Sequence, residues 1–493
     1  MSNSEKFELS ANTSSTSLDE AAIYLHTHFQ LLEEKSADER TLVRKIDWRI
    51  IPLAFACYAV AVIDKVNISY AAVMGMNKDL KLTGNNFSNA ASATYIAALI
   101  IEVPIGYILQ NVPLAKFLGI NVILWGVITA STAAVTNYHG LLACRILLGV
   151  FEASMPPCLM LITGIWYTKP EGVRRFTLWF CGTGLGQIMG GLVSWSFQQV
   201  TGEYLAGWRM MFLMLGILTA VIGLLTIIVM PDDPMSANWL SEAEKAVAIQ
   251  RVSVNQTGIQ NKHFKWAHIK ELALDVQIWL LATLMILIST CTAVIAAFSA
   301  TLIRNFGYTP AQSALLNMPG GVIIIVSTLI TGYSVGRQAN RWLWISILCV
   351  PAVLGGALMS FLPETNKEGH LAGMYLVNTI APSTVLIFSW VTANVAGHTK
   401  RAVANALITA SICVGSIIGL QTFQAKDAPR YIPSKITVLS TQSAAIMVAV
   451  ILRLYYGRQN SRKAKAAITQ QTIEDIEWLN FTDKENHTFQ YQY

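Results

Sequence analysis

The chain has 493 residues, 53% hydrophobic and 13% charged, with a formal net charge of +6. Soluble domains carry about 25% charged residues, so this composition, cut into long uncharged runs, describes a chain that crosses a lipid bilayer many times. The modest positive charge sits in tails and loops, which suits membrane faces better than a nucleic-acid partner.

The seven cysteines (Cys57, Cys144, Cys158, Cys181, Cys291, Cys349 and Cys413) all fall inside apolar runs. They read as small hydrophobes, with neither a disulfide framework nor a paired metal site. The sequence has no Gly-Lys-Ser/Thr phosphate loop, no His-Glu-x-x-His and no Cys-x-x-Cys, so no enzyme and no cofactor is expected.

Residues 1–46 form a polar N-terminal tail, with no basic start and apolar core of a cleavable signal. Ser36-Ala-Asp-Glu39 has capping-box spacing and predicts a helix start leading into the first span. Twelve runs reach the ~20 residues a crossing needs. They lie near 50–72, 87–110, 118–136, 140–166, 176–200 and 208–230, then near 278–301, 311–334, 342–362, 371–395, 402–424 and 436–456.

The predicted fold is therefore an all-α membrane protein, with twelve transmembrane helices in two six-helix bundles. The bundles cover 47–231 and 277–457, joined by a central loop at 232–276 and followed by a tail at 458–493. In the central loop, Ser241-Glu-Ala-Glu244 is a second capping-box candidate, and His268 to Asp275 predicts an amphipathic surface helix. Basic clusters after the fourth span (Lys169, Arg174, Arg175) and the tenth (Lys400, Arg401) echo one another, as repeated halves would. An even span count puts both termini on one side. The basic residues of the tails and central loop make that side the cytosol.

Charges inside the spans are confined to the first half: Asp64, Lys65, Glu102, Arg145 and Glu152. A charge at membrane depth faces a wet cavity or a partner and marks a transport path, or else it locks helices as a buried ion pair. Arg145, Gly149 and Glu152 share one face of the fourth span, over about 10 Å. Asp64 lies about 21 Å into a core of ~30 Å and Arg145 roughly 8 Å in from the other side, so depth allows these two to pair. Glu152, about 18 Å in, stands alone near the midplane, ahead of a helix break expected at Pro156-Pro157. Lys65 points about 100° away from Asp64, so one of the two is structural or reaches toward the surface. His398, beside Lys400 and Arg401 at the cytosolic exit, reads as a solvated surface group rather than a catalytic one.

These motifs, taken in order, resemble the major facilitator superfamily, and within it the fungal anion:cation symporters of the allantoate permease type. The resemblance rests on Lys45-Ile-Asp-Trp-Arg-Ile-Ile-Pro52, Asp64-Lys-Val-Asn67, Glu102-Val-Pro104 and Arg145-x-x-x-Gly149-x-x-Glu152. It rests also on Trp390-x-x-x-Asn394, on Gly397-His-Thr-Lys-Arg401 and on Asp427-Ala-Pro-Arg-Tyr431. The superfamily usually carries an acid in the loop between the second and third spans, where this chain has Gln110. It carries another between the eighth and ninth, where this chain reads Ser334-Val-Gly-Arg337. Gln187 stands where an antiporter signature has proline; its surrounding glycines read as close-packing positions.

The expected function is a proton-coupled carrier in the plasma membrane, importing a small organic anion and working as a monomer. The resemblance implies a carboxylate-bearing solute, such as a ureido acid, vitamin or short peptide. Glu152 and Asp64 are expected to carry the proton, and Arg145 and Lys65 to balance the anion or the acid. Gln187, Trp390, Asn394 and Asn378 are expected to shape the substrate cavity, and Glu102, Lys116 and Arg337 to gate it. An exporter of a metabolite or toxin on the same fold is the alternative. A signalling nutrient sensor would call for a longer patterned tail.

Overall fold

A computed structural model describes residues 39–109, 111–200, 205–253, 266–335, 340–363, 365–396, 398–428, 431–467, 482–485 and 489–493. The described residues fold as helices and loops without a strand. Twelve helical stretches are long and apolar enough to cross a membrane. Spans 1 to 6 run Glu39–Val73, Asn86–Ile108, Leu114–Ala134, Tyr138–Trp166, Arg174–Gln198 and Gly207–Val229. Spans 7 to 12 run Val276–Asn305, Pro310–Ser334, Arg341–Phe361, Lys367–Asn394, Thr399–Gln421 and Ile432–Lys465. Helix 12 carries on past residue 457 to Ala467. Of the expected N-terminal capping box, only Glu39 lies within the described residues.

Spans 4 and 10 are each interrupted near their middle, and the cause is local. Pro156 and Pro157 have no N–H to donate to the carbonyls of Glu152 and Ala153. Span 4 therefore stops at Glu152 and restarts at Met155. In span 10, Pro382 leaves the Asn378 carbonyl without its helical partner, and Asn378–Ile380 tightens into a 3-10 turn. The two halves thus repeat a broken fourth helix, the form in which transporters expose polar groups at mid-membrane.

The central linker is tied to both halves. Ser241 and Glu244 make the reciprocal capping bonds, Ser241 N–H to Glu244 Oε2 at 3.0 Å and Glu244 N–H to Ser241 Oγ at 3.3 Å. They open the helix Glu242–Ser253. Lys45 pairs with Glu244, while Arg251 reaches Glu171 and Glu39, which ties this helix to the first bundle. The second linker helix, Trp266–Ala273, packs on span 11 and buries His268 and Leu272. It is part of the second bundle's base.

On the face opposite the linker the bundles close on each other. Ser88 donates to the Phe423 carbonyl at 2.6 Å and Gln421 to Ser92 at 3.0 Å. Phe298 stacks on Phe423 with ring centroids 3.8 Å apart. Nearer the middle, spans 5 and 8 pack tightly through glycines: a Cβ on Gly191 would stand 2.7 Å from the Ala314 carbonyl oxygen.

Candidate functional site

Asp64 and Lys65 leave span 1 toward different neighbours, as the 100° between successive helical residues requires. Asp64 accepts from Trp125 Nε1 at 3.3 Å and Thr129 Oγ1 at 3.2 Å, both on span 3. Lys65 turns to span 4 and pairs with Glu152 at 2.6 Å. Glu152 does not stand alone: depth along a helix gives no azimuth, and the side chain that reaches it is Lys65. Arg145 is an electrostatic neighbour of Asp64. Its guanidinium lies 5.6 Å over the Phe212 ring rather than in an ion pair with Asp64.

The group is under-satisfied. Nε and Nη2 of Arg145, Oε2 of Glu152 and both amide atoms of Asn67 are buried with no hydrogen-bond partner among the described residues. Buried polar atoms are nearly always paired, and an unpaired one costs about 1–3 kcal/mol. Lys65 sits deep in the protein mass, yet its side chain is 34% exposed. It therefore borders an internal space. Tyr58, Tyr95 and Cys413 are the other titratable neighbours of the pair, with Cys413 contributed by span 11 of the second bundle. Glu102 lies toward the same Cys413.

Gly149 is explained by packing. A Cβ there would collide with the Thr94 backbone of span 2, so the glycine lets helices 2 and 4 approach at the level of the charges.

A second polar layer joins the bundles. Gln187 Nε2 donates to the Asn317 carbonyl and to Asn317 Oδ1, both at 3.1 Å. Asn317 Nδ2 in turn donates to Tyr70 Oη at 2.8 Å and Ser299 Oγ at 2.9 Å. The Asn378 amide approaches Gln187 around Gly320, where a Cβ would meet both. Gln187 and Asn378, expected in one cavity, do gather here.

Trp390 and Asn394 do not. They sit at the linker-side end of span 10 and hold the segment after span 12. Trp390 Nε1 donates to the Gln492 carbonyl at 3.0 Å and Asn394 Nδ2 to the same oxygen at 2.8 Å. Gln492 N–H returns a bond to Asn394 Oδ1 at 2.7 Å. A backbone partner 98 residues away leaves no trace in the sequence around it.

The His398 side chain lies outside the described residues, and Lys400 beside it is buried. Its fully buried ammonium meets Glu271 at 2.8 Å, Asp275 at 2.8 Å and Asp483 at 2.7 Å. A matching clasp stands in the first half, where Arg175 grips Asp47 through two bonds of 3.1 and 3.0 Å. In both halves an acid at the start of the first span holds a base that follows the broken fourth.

Of the expected gate residues, Glu102 lies toward Cys413 of the second bundle, Lys116 stays within the first bundle and Arg337 falls outside the description. Lys116 lies 3.7 Å from Asp232, whose carboxylate also caps the start of span 3 through Ala115 N–H at 2.8 Å. Asp232 thus supplies, from the far end of span 6, an acid the loop between spans 2 and 3 lacks. Arg337 and Gln110 lie outside the described residues.

Two six-helix bundles with repeated broken helices and charged groups at mid-membrane define a secondary transporter fold. A Major Facilitator Superfamily family model matches residues 54–420, and the chain belongs to that superfamily. A thiamine pathway transporter of Saccharomyces cerevisiae is 34% identical, over 98% of this chain and 96% of its own length. The allantoate permease of the same yeast is 30% identical over 93% and 88%. The crystal structure of a D-xylose-proton symporter overlays with a TM-score of 0.62 at 14% identity, covering 82% of this chain and 97% of its own. The relatives are transporters and permeases, and this protein is a multi-pass membrane transporter rather than an enzyme.

Proposed function

We propose that the protein imports a small organic anion together with a proton, by alternating access, as a monomer in the plasma membrane with the linker face in the cytosol. The observation that carries this reading is the Lys65–Glu152 pair at the edge of an internal space. With Glu152 ionised, its carboxylate occupies the Lys65 ammonium. A proton on Glu152 removes that competitor and leaves a buried cation to receive a substrate carboxylate. Proton and anion then enter as a neutral couple, which suits a low-dielectric site where an uncompensated charge is costly.

Asp64 is the second acid, held by Trp125 and Thr129 and facing Arg145. Arg145 is a second cation for the anion, and its unbonded Nε and Nη2 are the donors available to it. The Gln187–Asn317–Tyr70 layer supplies neutral donors and acceptors between the bundles. The name of one relative, an allantoate permease, supports a carboxylate as the substrate class.

The test is uptake of a panel of labelled carboxylates into intact cells at two external pH values. Uptake of at least one should rise at the acidic pH. Were none to rise, proton symport would be abandoned.

A further inference from the structure

The segment after span 12 is built into the second bundle. Its two described pieces, 482–485 and 489–493, are held by side chains of several helices. Asp483 is fully buried against Lys400 and accepts from Gln277 Nε2 at 2.9 Å and Tyr491 Oη at 2.8 Å. Thr482 Oγ1 donates to Glu271 of the linker at 2.9 Å. The Tyr491 ring stacks on Tyr456 with centroids 5.3 Å apart, and Arg453 lies 3.6 Å over the Tyr493 ring. Asn460 closes the far side, donating to the Tyr491 carbonyl and accepting from Tyr491 N–H.

One line of contacts leads from this segment to the seam between the bundles. Gln492 Oε1 accepts from Arg341 Nη1 at 3.0 Å, and Arg341 Nε donates to Ser389 Oγ at 3.1 Å. Ser389 lines a narrow gap on the linker side of the seam, with Val385 and Leu386 of span 10, Thr331 and Gly332 of span 8, and Thr177 of span 5. The same peptide holds the next turn of span 10 through Trp390 and Asn394. Below its break, span 10 is a separate helix of twelve residues, Ser383–Asn394. It can tilt without carrying the upper half along.

We propose that the pieces 482–485 and 489–493 form an intramolecular latch that, through Gln492, Arg341 and Ser389, holds the linker-side half of span 10 shut against span 5. Release of the segment frees Trp390, Asn394 and Arg341 together and lets the linker side of the seam open. The latch acts on the equilibrium between open and closed seams, whatever the substrate. It gives the protein a point of control that leaves the charged site untouched.

The test uses the full chain reconstituted in vesicles, with single reporters Thr177→Cys on the linker side and Ser92→Cys in the opposite sealed layer. Labelling by a membrane-impermeant maleimide is timed from each side. Asp483→Lys, which sets two ammonium groups against each other, and the double variant Tyr491→Ala with Gln492→Ala each release the latch. Both should speed labelling of Thr177→Cys by about fivefold or more, the low end for a coupling between two sites. Ser92→Cys should label no faster. If Asp483→Lys does not yield folded protein, the double variant decides alone. Unchanged labelling at Thr177→Cys overturns the latch. A parallel rise at both reporters overturns it too, because it reports general loosening.

Discussion

Two buried charge clusters, one in each bundle, leave their cations in opposite states. In the second bundle each donor of the Lys400 ammonium has its own carboxylate, at 2.8, 2.8 and 2.7 Å. In the first bundle two cations and two acids lie near one another around mid-membrane. Among the described residues one ion pair forms there, and atoms of Arg145 and Glu152 have no hydrogen-bond partner. A cation with every donor taken has nothing to offer an anion, and its value lies in the geometry it fixes. The unbonded carboxylate atom beside Lys400 is an acceptor, Asp275 Oδ1, with the Lys484 ammonium 3.4 Å away. An unsaturated cluster carries a standing cost that a proton or an anion can relieve. Buried charge alone does not distinguish the two clusters; the unbonded Arg145 donors and the partial exposure of Lys65 do.

The largest effect is expected at Glu152. Glu152→Gln keeps the shape and removes the titrating group, and uptake should lose its rise at acidic pH while the protein still reaches the membrane. A retained acid stimulation would move proton coupling to Asp64.

The comparison is broken most directly by removing one cation from each cluster. Lys400→Met strands three carboxylates at a buried site and should cost about 3–5 kcal/mol. Lys65→Met strands one carboxylate, which can take up a proton, and should cost clearly less. Thermal unfolding of the two variants in detergent would show the order, and equal melting temperatures would erase the distinction between the clusters.

A smaller loss is expected from Gly149→Leu. The new side chain must push span 2 away from span 4 at Thr94, at about 1–3 kcal/mol for an overpacked contact. Activity should fall as well, since the same displacement moves Glu152. Melting temperature and uptake, measured on one preparation, check both.

The smallest effect lies outside the membrane. Burial alone would raise the Glu171 carboxyl, but hydrogen bonds from Thr168 and the charge of Arg251 overcome it and hold the group below its ordinary value. A depressed acid adds stability that is complete above the usual glutamate value of about 4.3 and is lost as pH falls through the lower folded value. Arg251→Ala should therefore lower the melting temperature slightly at pH 7 and leave it unchanged in strong acid. An equal drop at both would assign Arg251 a packing role instead.

Much of this was legible in the chain. The proline pair after Glu152 predicted the break in span 4, because the missing N–H groups act within one turn. The Ser241–Glu244 box was readable for the same reason. Gln187 and Asn378, both expected to shape the substrate cavity, come near each other around Gly320. Pairing was not legible. Depth along the helices set Arg145 level with Asp64 and left Glu152 alone. The reach of the Lys65 side chain and the rotation of each helix about its axis decided the pair that forms. Trp390 and Asn394 have the composition of cavity residues, and nothing near them announces that their partner is the Gln492 backbone.

By itself the sequence determined the twelve crossings, the two halves and the charges that lie inside the spans of the first half. The bilayer imposes a length and a polarity on each run of about 20 residues, and that demand is met locally. The tertiary structure decided which charges meet. It paired Lys65 with Glu152, left Arg145 beside Asp64 without a bond, and enclosed Lys400 with an aspartate 83 residues downstream. Those outcomes depend on helix azimuth and on contacts between distant segments, which packing alone sets.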